Sequence, residues 1–314
     1  MNEPRIELRH ALVNGVSIHH AVCGQAGRPL VIFLHGFPQA WFAWERQLLD
    51  LGRGYLAVAP DLRGINLSGK PANVRDYRAH LVAADVVALA QSLGYEQFSL
   101  VGHDWGGAIA YTLAIGHAQR VTRLVVMNAV HPAVFARELR QSPAQARASD
   151  YINLFRQPQA TEHLLQGECA YLRGMFADED GRMPAWFDHA ERARYLAAWS
   201  TPGAVEGGLN YYRATSLHPA TDGDPGVESV KLDEAALRVK APTLMLWGER
   251  DRYLLPGCSH GVQQHVPDLR VERFPSASHW IAHEEPQAVN RLIREHLQPV
   301  LKDMAKLERE AAAR

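Results

Sequence analysis

The stretch Leu100-Val-Gly-His-Asp-Trp-Gly-Gly-Ala108 constrains this chain more than any other. An apolar run ending at Val101 reads as a buried parallel strand, and a helical run from Ala108 to Ala118 follows closely. Between them, Gly102-His103-Asp104-Trp105-Gly106 has the glycine–x–nucleophile–x–glycine spacing of a nucleophile elbow. Such a turn needs glycines on both flanks, because a Cβ there collides with neighbouring backbone, and it lifts the central side chain clear of the sheet. The central residue is Asp104, not serine. A carboxylate in that place is suited to attack a saturated carbon and form an alkyl ester. The competing reading is an aspartate that caps the free amides of the following helix.

The neighbouring segments set the fold class. Asn14-Gly15 joins two strand-like pieces between Arg5 and Val22 as a hairpin turn would. Leu30–Leu34, Tyr55–Ala59, Phe98–Val101 and Val121–Met127 are short apolar runs of the kind buried on both faces of a parallel sheet. Leu81–Leu93 has helical spacing and stops at Gly94. The alternation predicts an α/β core with a mostly parallel sheet flanked by helices. From Ala133 to Leu217 no strand is predicted, only helical segments. Strand character returns at Thr243–Trp247, and Ala220–Ser229 reads as the loop between. This gives a core of residues 1–132 and 219–314 with an inserted helical cap, 133–218, over the carboxyl ends of the strands. The tail beyond Pro299 reads as a charged helix.

Composition narrows the function classes. A formal net charge of -1 over 314 residues gives no general attraction to nucleic acid or anionic lipid. Cys23, Cys169 and Cys258 fit neither a disulfide framework nor a metal site. The segment Met1–Glu7 lacks the apolar run of a signal peptide, and no stretch is long enough to span a bilayer. The expectation is a cytoplasmic protein that acts on a small molecule, without nucleic acid or membrane partners; a homodimer is left open.

An alkyl ester on Asp104 is a dead end unless water is activated to break it, which calls for a histidine base oriented by a second carboxylate. Trp247-Gly-Glu-Arg-Asp251 puts an acid just past a strand, with Asp251 favoured over Glu249. His279, in the loop after the next strand, is favoured as the base over His283. Asn128 ends the strand after the elbow but, as an amide, supplies no charge. The backbone amides of Phe37 and Trp105 would form an oxyanion hole. His35 reads first as a packed, hydrogen-bonded residue and is kept with Pro38, Trp105, Phe155 and Tyr211 as a substrate-binding candidate. No metal or cofactor is called for.

The chain resembles the α/β-hydrolase-fold epoxide hydrolases and, less closely, the haloalkane and haloacetate dehalogenases. The carriers are His35-Gly-Phe-Pro38, Asp61-Leu-Arg-Gly64, Gly102–Gly107, Trp247–Asp251 and Ser278-His279-Trp280. The resemblance implies an α/β-hydrolase fold, and two cap tyrosines that donate to the epoxide oxygen. Asn210-Tyr211-Tyr212-Arg213 points to Tyr212, with Tyr211 as the substitute if the helix phase differs; Asp150-Tyr151 points to Tyr151. Phe155, Phe176, Trp186 and Trp199 suggest an apolar pocket. Trp105 and Ala108 stand where haloacetate dehalogenases keep arginines, and Phe37 where haloalkane enzymes usually keep a halide ligand. The expected function is epoxide opening to a vicinal diol, with hydrolytic dehalogenation of a halogenated organic as the alternative. A catalytically silent binding protein is the third reading. Ile65-Asn-Leu-Ser-Gly69 departs from the common Tyr-Gly-x-Ser pattern.

Overall fold

The computed structural model describes residues 3–312; Met1 and Asn2 of the leading segment lie outside them. The hairpin forms as its turn predicts, with Asn14 and Gly15 both at positive φ (49° and 77°) joining β1 (Ile6–Val13) and β2 (Val16–Cys23). There follow β3 (Leu30–Leu34), α1 (Glu45–Leu51), β4 (Leu56–Pro60), α2 (Ala79–Ser92), β5 (Phe98–His103), α3 (Trp105–Gly116) and β6 (Val121–Met127). The eight-stranded sheet is completed by β7 (Thr243–Gly248) and β8 (Leu269–Phe274), in the order β1-β2-β4-β3-β5-β6-β7-β8. It is parallel from β4 onward, and β2 pairs antiparallel with both β1 and β4. All five residues of β3 are buried. Leu30, Ile32 and Leu34 join one core cluster and Val31 and Phe33 the other, so helices cover both faces of the sheet. A short α10 (Ile281–Glu284) and the long α11 (Pro286–Ala312) close the chain. The sequence separated a charged tail after Pro299, but one helix runs through that residue.

Between β6 and β7 lie six helices: α4 (Pro132–Gln141), α5 (Pro143–Ala148), α6 (Asp150–Phe155), α7 (Ala160–Gly174), α8 (His189–Ser200) and α9 (Ala204–Ala214). They dock on loops that follow the carboxyl ends of strands. Trp199 Nε1 donates to Pro38 O at 2.7 Å and Tyr211 Oη to Arg63 O at 2.9 Å, after β3 and β4 respectively. Tyr253 Oη, after β7, donates to Met175 O at 2.9 Å. In α9, a Cβ on Gly207 would lie 2.2 Å from Gly64 O, and one on Gly208 would lie 2.4 Å from the Phe37 ring. The glycine pair therefore lets this helix lie directly on the core loops. Among the described residues, no helix is long and apolar enough to cross a membrane.

The Asp61–Gly64 turn is structural. Asp61 Oδ1 accepts from Trp41 N (2.9 Å), while Oδ2 accepts from Asn66 Nδ2 (2.9 Å) and is held by His19 Nδ1 (2.6 Å). Ser68 Oγ donates to Asp61 O at 2.6 Å. Asn66 and Ser68 thus give the departing Ile65–Gly69 segment a physical role: they tie the loop to Asp61. Arg63 forms a bidentate pair with Asp85, both contacts 2.6 Å and both residues buried, which satisfies charges that would be costly alone.

Candidate active site

Asp104 links β5 to α3 with φ 52° and ψ −123°, the first central position of a type II′ turn. A Cβ on Gly102 would lie 2.5 Å from Gly106 O, and one on Gly106 only 2.0 Å from Leu34 O. Both flanking glycines are therefore required. Asp104 stands at the N-cap of α3 but makes no side-chain cap bond, which removes the capping reading. Its Oδ1 accepts instead from Phe37 N at 2.9 Å. One of the two amides expected to form the oxyanion hole, that of Phe37, is thus in contact with the carboxylate. Burial alone would raise the pKa of Asp104, but His279, His103 and the Trp105 amide together leave it below the usual value. The backbone there suits glycine better than any side chain with a Cβ. Asp104→Gly is expected to be about 1–3 kcal/mol more stable than Asp104→Ala. Paired denaturant titrations check this, and equal stabilities would show that the turn stores no strain.

His279 lies between two carboxylates. Its Nδ1 is 2.6 Å from Asp251 Oδ2, and its Nε2 is 3.5 Å from Asp104 Oδ2. Burial pushes its pKa down, yet the charges of Asp251 and Asp104 and their hydrogen bonds reverse that and raise it to about 10. Asp251 is held by four donors: His279 Nδ1, Asn128 Nδ2 (2.8 Å), Tyr253 N (2.8 Å) and Leu254 N (3.0 Å). Asn128, at φ 37°, also exchanges two hydrogen bonds with the main chain of Gly248, so it fixes the acid's loop without supplying charge. Glu249 is exposed and 3.5 Å from Arg273, away from His279. His283 bonds to Gln39 at 2.8 Å and is no rival base.

Successive residues of α9 point about 100° apart, so Tyr211 and Tyr212 have different surroundings. Tyr211 packs on Tyr77 and donates to Arg63 O. Tyr212 packs edge-on against Trp105 (5.2 Å), Phe37 (5.6 Å) and Tyr151 (6.0 Å). Burial, then neighbouring charge including that of Asp104, raises the pKa of Tyr151 and Tyr212 well above normal, so both phenols keep their protons. The Trp105 side chain, packed edge-on against Tyr212, partly offsets that rise at Tyr212.

Four of the substrate-binding candidates have their polar groups or rings engaged by the protein itself. His35 is 1% exposed, with Nδ1 bonded to Gly36 O and Nε2 accepting from Leu62 N, so both ring nitrogens are engaged with main chain. The Pro38 carbonyl is held by Trp199 and the Tyr211 hydroxyl by Arg63. Phe155 is fully buried among Phe37, Tyr151, Tyr171 and Tyr212. Phe176, Trp186 and Trp199 likewise pack among Phe187, Tyr195 and Trp280 as the core of the helical layer. Sequence reasoning missed Tyr253, whose ring stands 5.2 Å from that of His279; a lone tyrosine after Asp251 carries no signal. A cavity of about 240 Å³ opens beside His279, lined by Tyr253, Ser278, Trp280, Arg182 and Arg252 among others.

Comparison with known proteins gives the family. A family model for the alpha/beta hydrolase fold matches residues 29–286. Epoxide hydrolase 3 of Xenopus tropicalis is 36% identical over 289 residues, 90% of this chain and 75% of that protein. The AB hydrolase superfamily protein YfhM of Bacillus subtilis is 35% identical, covering 90% of this chain and 95% of its own. The crystal structure of Bacillus megaterium epoxide hydrolase with an inhibitor superposes with a TM-score of 0.84 at 31% identity, covering 92% of this chain and all of that one (100%). The chain belongs to the α/β-hydrolase fold family and, within it, to the epoxide hydrolases.

Proposed function

We propose that this chain hydrolyses epoxides to vicinal diols through an ester on Asp104. The observation that carries the reading is a carboxylate at the elbow, held by the Phe37 amide, with His279 3.5 Å away and two protonated phenols within reach of its charge. Asp104 attacks a ring carbon, and the C–O bond breaks. The leaving oxygen takes a proton shared by Tyr151 and Tyr212, since an alkoxide is too poor a leaving group without an acid. His279, oriented by Asp251, then takes a proton from water, and the hydroxide adds to the ester carbonyl. The oxyanion falls to the Phe37 and Trp105 amides. On collapse the C–O bond to the alkyl oxygen breaks and that oxygen takes the proton from His279 to give the diol, while the carboxyl proton left from the added hydroxide returns to the phenolate, restoring carboxylate and phenol.

The charge balance suits this order. In the resting protein, both carboxylates favour the protonated form of His279. Ester formation removes the charge of Asp104, so His279 gives up its proton more readily when a base is required. Helices 133–218 serve as the cap that brings the phenols over the carboxylate. The free cysteines are all buried, in keeping with a cytoplasmic enzyme. Dehalogenation is the weaker reading, because the Trp105 ring is packed edge-on against Tyr212 and the Xenopus tropicalis and Bacillus megaterium relatives named above are epoxide hydrolases. Separate Tyr212→Phe and Tyr211→Phe variants test the assignment. Tyr212→Phe is expected to slow epoxide opening by about 10²-fold. Tyr211→Phe should lower stability by about 1 kcal/mol and leave opening nearly unchanged. The reverse pattern in single-turnover rates would exchange the two roles.

A further inference from the structure

Behind His279, a line of buried polar groups joins parts of the fold that the proposed chemistry does not connect. His103 precedes Asp104 and its ring lies 4.6 Å from that of His279. Its Nε2 is 2.8 Å from the carbonyl oxygen of His279, so that nitrogen carries a proton and donates. Its Nδ1 is 3.1 Å from the side-chain amide of Gln39. The other end of that amide is 2.8 Å from His283 Nε2 and 3.2 Å from the Tyr195 hydroxyl of α8.

The donors and acceptors do not balance when the Gln39 oxygen faces His103. Both ring nitrogens would then meet oxygen acceptors, which only an imidazolium satisfies. His103 is 3% exposed; burial first, then the charge of His279, pulls its pKa down to about 4 against the opposing pull of Asp104 and Asp251. The ring is therefore neutral and has one proton to give. Amide oxygen and nitrogen are isosteric, and their order is decided by their partners. Turning the Gln39 amide over makes every contact a donor–acceptor pair. Its nitrogen then donates to His103 Nδ1, and its oxygen accepts from Tyr195 O–H and His283 Nε2–H.

We infer that His103 is a positioning residue, held as its Nε2–H tautomer by the Gln39 amide, and that it fixes the main chain of His279. The network runs from α8 through the loop after β3 to the loop that carries His279. His103 acts through the His279 carbonyl, so its loss should disturb the step that uses His279 more than the step that uses Asp104. That consequence rests on the proposed roles of those two residues; the tautomer does not.

Two experiments test the inference. In the unaltered protein labelled with 15N-histidine, the His103 ring is expected to show one proton, on Nε2, with Nδ1 bare, from about pH 6 to 8. Its signal is identified by its loss in His103→Gln. Protons on both nitrogens, or on Nδ1 alone, would overturn the assignment. The second experiment follows a single turnover of a small epoxide by quenched intact mass in His103→Phe and His103→Gln. In the phenylalanine variant, ester hydrolysis should slow about tenfold while ester formation changes less than about twofold. Glutamine, which keeps an N–H donor for the same carbonyl, should recover most of the loss. Equal slowing of both steps, unchanged hydrolysis, or no recovery with glutamine would overturn the positioning role. Absence of any ester in the unaltered protein would count against the proposed function instead, and the tautomer measurement would still decide the hydrogen-bond assignment.

Discussion

Asp104→Ala is expected to lose at least about 10⁴-fold in turnover, because it removes the group that forms the covalent bond. The loss should lie in chemistry and not in folding. Asp104 is one of two carboxylates on His279, and Asp251 keeps its four donors without it. The Phe37 amide loses its acceptor, a cost of about 1–3 kcal/mol that water in the vacated space reduces. Circular dichroism and denaturant midpoints should therefore report a folded protein that forms neither ester nor diol. Residual diol above background would mean that water attacks the epoxide directly.

His279→Gln should separate the two halves of the reaction. The amide has no basicity, so water is not activated; the nucleophile, both amides and both phenols remain. Ester formation should survive and ester hydrolysis should fall by about 10³-fold or more. Incubation with a small epoxide is then expected to add the whole mass of the epoxide, mapped to Asp104. A gain equal to an alkyl group without halide, obtained from a haloalkane or haloacetate, would favour dehalogenation. A folded variant that takes up neither would remove Asp104 as the nucleophile. Asp251→Asn is the milder relative of this change, since it leaves the base but not its orienting charge.

The parts of this site legible in the sequence are those where local sterics or periodicity leave little choice. Gly102 and Gly106 announce the elbow because their Cβ positions fall on backbone, and β3 is an unbroken apolar run because both its faces are buried. Asp251 and His279 could be chosen by their positions after β7 and β8. Helix α3 begins at Trp105, three residues before its expected start, because Gly106 and Gly107 hide the helical pattern. The choice between Tyr211 and Tyr212 depends on the rotational phase of α9, which is set by contacts of Gly207 and Gly208 with Gly64 and Phe37. His35, read from the sequence first as a packed, hydrogen-bonded residue, has both ring nitrogens engaged with main chain. The Gln39–His283 contact joins residues 244 apart, beyond any local pattern.

The most direct test of the central claim is the position of the water oxygen after one turnover. With the protein in excess over epoxide in 18O-water, hydroxide adds to the ester carbonyl and not to the epoxide carbon. The first diol released should therefore contain no 18O from the solvent, and the label should be found in the Asp104 carboxylate. Diol carrying one solvent oxygen from that first turnover, with an unlabelled Asp104, would contradict the ester and leave Asp104 at most a base.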